Sequence, residues 1–215
     1  EYNRAMAKSK VKSKYVCQEC GYETAGYLGK CPECGAWGSI VEEVETKITA
    51  NTAVADFLNT EKPKLINEIT LDDSVRVSTN ISEFDRVLGG GLVQGSLVLL
   101  AGDPGIGKST LILQTSGELC KQEKKVLYTS AEESASQVKL RAERLGIHTD
   151  NLYIYPQTNL ELIRAQIKDL KPDVLVIDSI QSIYTENISS SAGSVSQVRE
   201  CCNILMQIAK SENIT

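Results

Sequence analysis

The segment Gly102-Asp103-Pro104-Gly105-Ile106-Gly107-Lys108-Ser109 constrains this chain more than any other. Its pattern, G-x-x-x-x-G-K-S, needs a strand before it and a helix after it. Only then do its backbone N–H groups and the helix dipole converge on phosphate oxygens. The flanking residues supply that context: Leu97-Val98-Leu99-Leu100-Ala101 reads as a buried strand, and Lys108 to Lys121 as a helix. Gly102, Gly105 and Gly107 let the loop wrap without side-chain obstruction. Lys108 is expected to reach the β- and γ-phosphates and Ser109 to place its hydroxyl on Mg²⁺, with Asp103, Pro104, Ile106 and Thr110 completing the nucleotide contact. The expected ligand is ATP.

Downstream, short apolar runs alternate with helical periods. Lys125–Thr129 reads as a strand, 132–145 as an amphipathic helix, and Leu152–Tyr155 as a short strand. Asn159 caps a helix carrying Leu160, Leu162, Ile163, Ile167 and Leu170, which Pro172 ends before the strand Val174–Ile177. This order predicts an α/β fold with a mostly parallel sheet and helices on both faces. Asp178 closes a buried strand at the ligand-binding edge, where it can hold the water shell of Mg²⁺. Glu132 and Glu133 follow the strand 125–129 at the same edge. Either could orient or deprotonate water, and both could equally be first-turn helix acids favoured by the dipole.

Ahead of this domain lie Cys17-x-x-Cys20 and Cys31-x-x-Cys34, each pair followed by glycine. Four sulfurs on two tight turns suit tetrahedral Zn²⁺, and a closed Cys₄ shell argues for a structural rather than hydrolytic ion. Tyr15, Tyr22, Tyr27, Leu28 and Trp37 surround the site. Packing shell is the favoured role for them, a platform for bases or a partner the other. Cys120, Cys201 and Cys202 fall in helical patterns and read as small buried hydrophobes. His148, the one histidine, falls in an exposed turn and is given no role.

Charge marks the boundaries. Residues 1–40 carry six Lys/Arg against four Asp/Glu, residues 41–75 three against eight, and the whole chain has a net charge of −5. The domain expectation is a basic tail over 1–14 (with Glu1–Ala5 an extraneous leader before Met6), a zinc module over 15–41, an acidic linker over 42–75 and an ATPase domain over 76–215. The Ser-rich stretch Ile188–Gly193 reads as a mobile loop. No stretch is long and apolar enough to span a membrane, no secretory leader precedes the cysteines, and a cytoplasmic location is expected. The composition shows no basic footprint of a nucleic-acid binder. The chain reads as a fragment of a longer protein.

Taken together, Cys17-x-x-Cys20-Gly21-Tyr22, Leu28-Gly29-Lys30-Cys31-Pro32-x-Cys34-Gly35-Ala36-Trp37, Phe84-Asp85-Arg86-Val87-Leu88-Gly89-Gly90-Gly91 and Gly102 to Thr110 resemble the bacterial RadA (Sms) family of DNA repair proteins. The resemblance implies a RecA-type P-loop ATPase core that assembles as a hexameric ring on single-stranded or branched DNA. It implies a DNA-dependent ATPase that acts in homologous recombination with the RecA recombinase, processing or branch-migrating its intermediates. It also places Lys108, Ser109 and Asp178 in the Walker roles and Glu132, rather than Glu133, at the catalytic glutamate position. The family's Lys-Asn-Arg-Phe-Gly motif and its Lon-protease-like domain are not among these 215 residues. The alternative is a nucleotide-switched module that binds or loads a recombinase without motor activity. A small-molecule kinase is disfavoured, because the stretch after Asp178 is Ser-rich rather than an Arg-rich lid.

Overall fold

The computed structural model describes residues 13–44, 65–68 and 76–215. Most of the expected basic tail and acidic linker lies outside these residues. The chain is α/β, with a parallel-sheet P-loop domain preceded by a small four-cysteine ribbon.

The ribbon is a three-stranded antiparallel sheet, β1 (Ser13–Cys17), β2 (Glu23–Thr24) and β3 (Ile40–Val44), in the order β2-β1-β3. A two-stranded antiparallel pair, β4 (Arg76–Val77) and β5 (Leu92–Val93), encloses the short helix α1 (Ser82–Val87). The Phe84–Gly91 motif explains itself locally. Asp85 accepts from Ser78 Oγ at 2.6 Å, Thr79 N at 2.8 Å and Thr79 Oγ1 at 2.7 Å. Arg76 donates to the carbonyl oxygens of Leu88 and Gly91, holding the glycine turn against β4.

The main sheet contains β6 (Val126–Ser130), β7 (Leu152–Pro156) and β8 (Val174–Asp178), all parallel, in the order β7-β6-β8. Its central strand β6 is buried at every residue. Val126 and Tyr128 face one cluster, with Leu113, Leu119, Val138 and Ala142 from α2 (Lys108–Lys121) and α3 (Ala135–Arg144). Leu127 faces the other, with Ile163 and Ile167 from α4 (Leu160–Leu170) and Cys201, Leu205 and Ile208 from α5 (Val195–Glu212). Helices therefore cover both faces, as the alternating pattern predicts.

The helix ends follow from capping chemistry. Ser134 caps α3 in a reciprocal box with Gln137, Asn159 caps α4 through Leu162 N, and Ser194 caps α5 through Gln197 N. Lys171 ends α4 in the left-handed region, and Pro172 prevents its continuation.

Three expectations change. Residues 97–101 are not a buried strand. Among the described residues no backbone pairs with them, and Leu99 is 76% exposed. Their apolar run encodes a strand, but a strand forms only where a neighbour supplies the hydrogen-bond ladder. Helix α3 begins at Ala135, not at 132, because the Ser134 cap fixes its start. Glu132 and Glu133 thus precede the helix and are not first-turn acids. The stretch 188–193 is tied down rather than loose: the buried Gln197 amide donates to the carbonyl oxygens of Thr185, Ile188 and Ser190.

Candidate nucleotide site and metal centre

The phosphate loop leads straight into α2. Gly107 caps that helix in the left-handed region at φ 102°, a conformation that a side chain would strain. The first helical N–H groups, from Lys108 onward, have no intrahelical partner and form the anion-binding end of α2. Lys108 Nζ donates to the carbonyl oxygens of Gly102 and Asp103, both at 2.8 Å. It therefore lies folded over the loop whose phosphate it is expected to reach. Asp103, Pro104, Ile106 and Thr110 are exposed around it.

Ser109 and Asp178 are 69 residues apart in sequence, yet Ser109 Oγ donates to Asp178 Oδ1 at 3.0 Å. The parallel register explains this. Asp178 sits at the C-terminal end of β8 beside Ser130, at the same edge from which α2 departs. Two hard oxygens meeting at a helix N-terminus fit Mg²⁺ held together with a nucleotide phosphate. The second carboxylate oxygen is also engaged: Tyr128 Oη donates to Asp178 Oδ2 at 2.6 Å. Burial, then Asp178 itself, pushes the Tyr128 phenol well above its ordinary pKa, so it remains a donor.

The two glutamates separate in space. Ala131 N donates to Asp178 O at 2.8 Å, which draws Glu132 towards β8. Glu132 Oε1 accepts from Ser179 Oγ at 2.6 Å and Ser182 Oγ at 3.2 Å. Glu133 turns the other way into an ion pair with Arg141, and its backbone is bracketed by Ser130 Oγ.

In the ribbon, Cys17, Cys20, Cys31 and Cys34 bring their sulfurs within 4.8 Å of one another. Cys17 lies 3.7 Å from Cys34, and Cys20 lies 3.6 Å from Cys31. A tetrahedron with Zn–S bonds of about 2.3 Å has sulfur–sulfur edges of roughly 3.8 Å, so the cage fits Zn²⁺. Gly21 and Gly35, which follow the pairs, adopt φ 76° and 75°, the left-handed geometry that the knuckles require. Burial opposes the Cys17 thiolate, but the Ser39 hydroxyl and the backbone donors of Cys20 and Glu19 outweigh it and lower its pKa to about 6. At Cys20 the Tyr22 backbone donor lowers the pKa, but burial and the neighbouring thiols prevail and push it to about 12. Four thiols so close cannot all ionise without a cation.

The aromatic residues divide. Tyr15 and Tyr22 pack against the cysteine cluster. Trp37 is 78% exposed and Tyr27 63% exposed, and Leu28 is also open to solvent. Tyr27 still meets the Tyr15 ring edge-on, with centroids 6.4 Å apart, whereas Leu28 and Trp37 lie open at the surface. Lys30 Nζ sits 5.5 Å from the centre of the Trp37 ring. Cys120 and Cys201 are buried as expected, Cys202 is half-buried, and His148 is exposed.

Sequence reasoning missed Tyr128, Ser179, Ser182 and Arg141. Tyr128 alone left a trace, as the one polar-tipped side chain within the apolar run Val126-Leu127-Tyr128, on a strand that could neighbour the one ending in Asp178.

Comparison with known proteins agrees with both halves. A family described as an AAA domain matches residues 63–215, and one described as a rubredoxin metal binding domain matches residues 15–42. The chain is 53% identical over 209 residues to the DNA repair protein RadA of Listeria monocytogenes, covering 97% of this chain and 46% of that protein. It is 50% identical to the DNA repair protein RadA of Bacillus subtilis, covering 96% and 46%, and 51% identical to that of Streptococcus pyogenes serotype M3, covering 96% and 45%. The chain thus spans a little under half the length of these relatives, and the resemblance stated from its motifs is borne out.

Proposed function

We propose, for a chain that belongs to the AAA domain family, that it binds ATP with Mg²⁺ and hydrolyses it as part of a DNA repair protein. The meeting of Ser109 with Asp178 across the sheet edge carries this reading. Bound Mg²⁺ supplies charge neutralisation at the β- and γ-phosphates. The N–H groups from Gly105 to Ser109 bind phosphate oxygens, and Lys108 exchanges its loop carbonyl contacts for the γ-phosphate. Asp178 would hold the ion's water shell. We assign Glu132 as the general base that receives the proton of the attacking water, because Glu133 is committed to Arg141.

The similarity to RadA proteins supports the finer proposal. The full-length protein would be a DNA-stimulated motor that processes or branch-migrates recombination intermediates with the RecA recombinase. It would act in the cytoplasm and assemble as a ring, with a neighbouring subunit completing the ATP site. Among the described residues no helix is long and apolar enough to cross a membrane. The test is ATP turnover of the full-length protein with and without single-stranded DNA. DNA is expected to raise the rate, and Lys108→Ala to lower turnover at least 100-fold, on the order of a lost electrostatic clamp. A rate indifferent to DNA would sink the motor reading.

A second reading rests on the exposed Tyr27, Leu28 and Trp37. The ribbon would recruit a recombinase, with nucleotide acting as a switch. Stripping the zinc should then abolish recombinase capture while nucleotide binding stays intact, and capture surviving zinc loss would reject it.

A further inference from the structure

The Asp178 carboxylate has one donor on each of its oxygens. Ser109 donates to Oδ1, and its hydroxyl is the same group that Mg²⁺ requires as a ligand. A hydroxyl oxygen that ligates an ion through a lone pair keeps its O–H, so Ser109 would fix only the first of the two carboxylate oxygens. Tyr128 donates to Oδ2, and nothing about nucleotide binding competes for it. It is fully buried, at 0% exposure, and its ring is fixed among Leu113, Leu119, Val138 and Val176. Its registered partner on β8 is Val176, so the hydroxyl reaches diagonally to the residue two further along.

We propose that Tyr128 is the positioning residue for Mg²⁺ binding, holding the second oxygen of Asp178 and with it the plane of the carboxylate. The proposal rests on the nucleotide-binding reading above. Asp178 sits at the end of a strand, where a carboxylate can rotate about its terminal torsion at small cost. Two oxygens presented in a fixed plane bind an ordered water shell better than a rotating pair, since the ordering cost is already met. Tyr128 acts through Asp178 and touches neither ion nor nucleotide.

Tyr128→Phe removes the hydroxyl and keeps the ring, so the packing survives. The measurement is the affinity of the full-length protein for a fluorescent ADP analogue with and without Mg²⁺, paired with electron paramagnetic resonance of Mn²⁺ bound in place of Mg²⁺. In the variant, the gain in affinity that Mg²⁺ confers should fall about tenfold, the size of one hydrogen bond to a charged group. Metal-free affinity should stay within twofold, and less Mn²⁺ should be bound. Equal Mg²⁺ dependence in the two proteins overturns the proposal. So does a parallel loss of affinity with and without metal, the mark of a purely structural tyrosine. Absence of nucleotide binding in the unmutated protein would instead bring down the reading on which the proposal rests.

Discussion

Asp85 shows how a motif residue can serve the fold rather than the chemistry. Its carboxylate collects two hydroxyls and one backbone N–H at the exit of β4, outside the phosphate loop. Burial opposes its charge, but the Ser78 and Thr79 donors outweigh burial and lower its pKa. A carboxylate depressed in the folded state stabilises above its unfolded pKa, and that stability is lost as pH falls through the folded value. Asp85→Asn should therefore cost about 1–2 kcal/mol at neutral pH, less than the sum of its bonds because the amide keeps one acceptor. The gap between the variants' unfolding midpoints should close as the pH drops below the carboxylate range. A gap that persists there would mean that charge is not the cause.

At the scale of elements, the contact between α2 and the turn after α3 is close. A Cβ on Gly117 would lie 2.8 to 3.1 Å from three carbons of Ile147. Alanine favours a helix over glycine by about 1 kcal/mol, whereas overpacking a core costs about 1–3 kcal/mol. Ile147 is buried with little room to move, so Gly117→Ala should destabilise by about 1 kcal/mol in chemical denaturation. A more stable variant would show that Ile147 can rotate away. The sequence made α2 to α4 and β6 to β8 legible because apolar period and caps are local, whereas the ribbon strands, β4, β5 and α1 were not legible there. Asn159, Pro172 and the Val174–Ile177 run each signal their element directly. The run 97–101 misled for the same reason: its composition is local, but pairing is not. In the same way, Ser109 and Asp178 could be named singly, whereas Tyr128 needed the β6–β8 register to be found.

The molecule joins a metal-built module to a hydrophobically built one. The ribbon core is little more than Val16, Cys17, Cys31 and Ile40, too small to stand on burial alone. Zinc is therefore expected to supply its folding energy. A chelator titration should melt residues 13–44, seen as loss of amide dispersion in that segment, and leave the P-loop domain folded. Simultaneous loss of both would mean that the two depend on each other. Between them, Gly21 of the ribbon lies against Val195 and Arg199 of α5.

Burial of β6 on both faces has a consequence in time. The parts of a fold with the most covered backbone are the last to open. β6 carries Tyr128, is flanked by β7 and β8, and lies between both apolar clusters. The phosphate loop lies outside that sheet, with residues 102–107 exposed. Through Tyr128, the Asp178 carboxylate is instead anchored to the strand expected to open last.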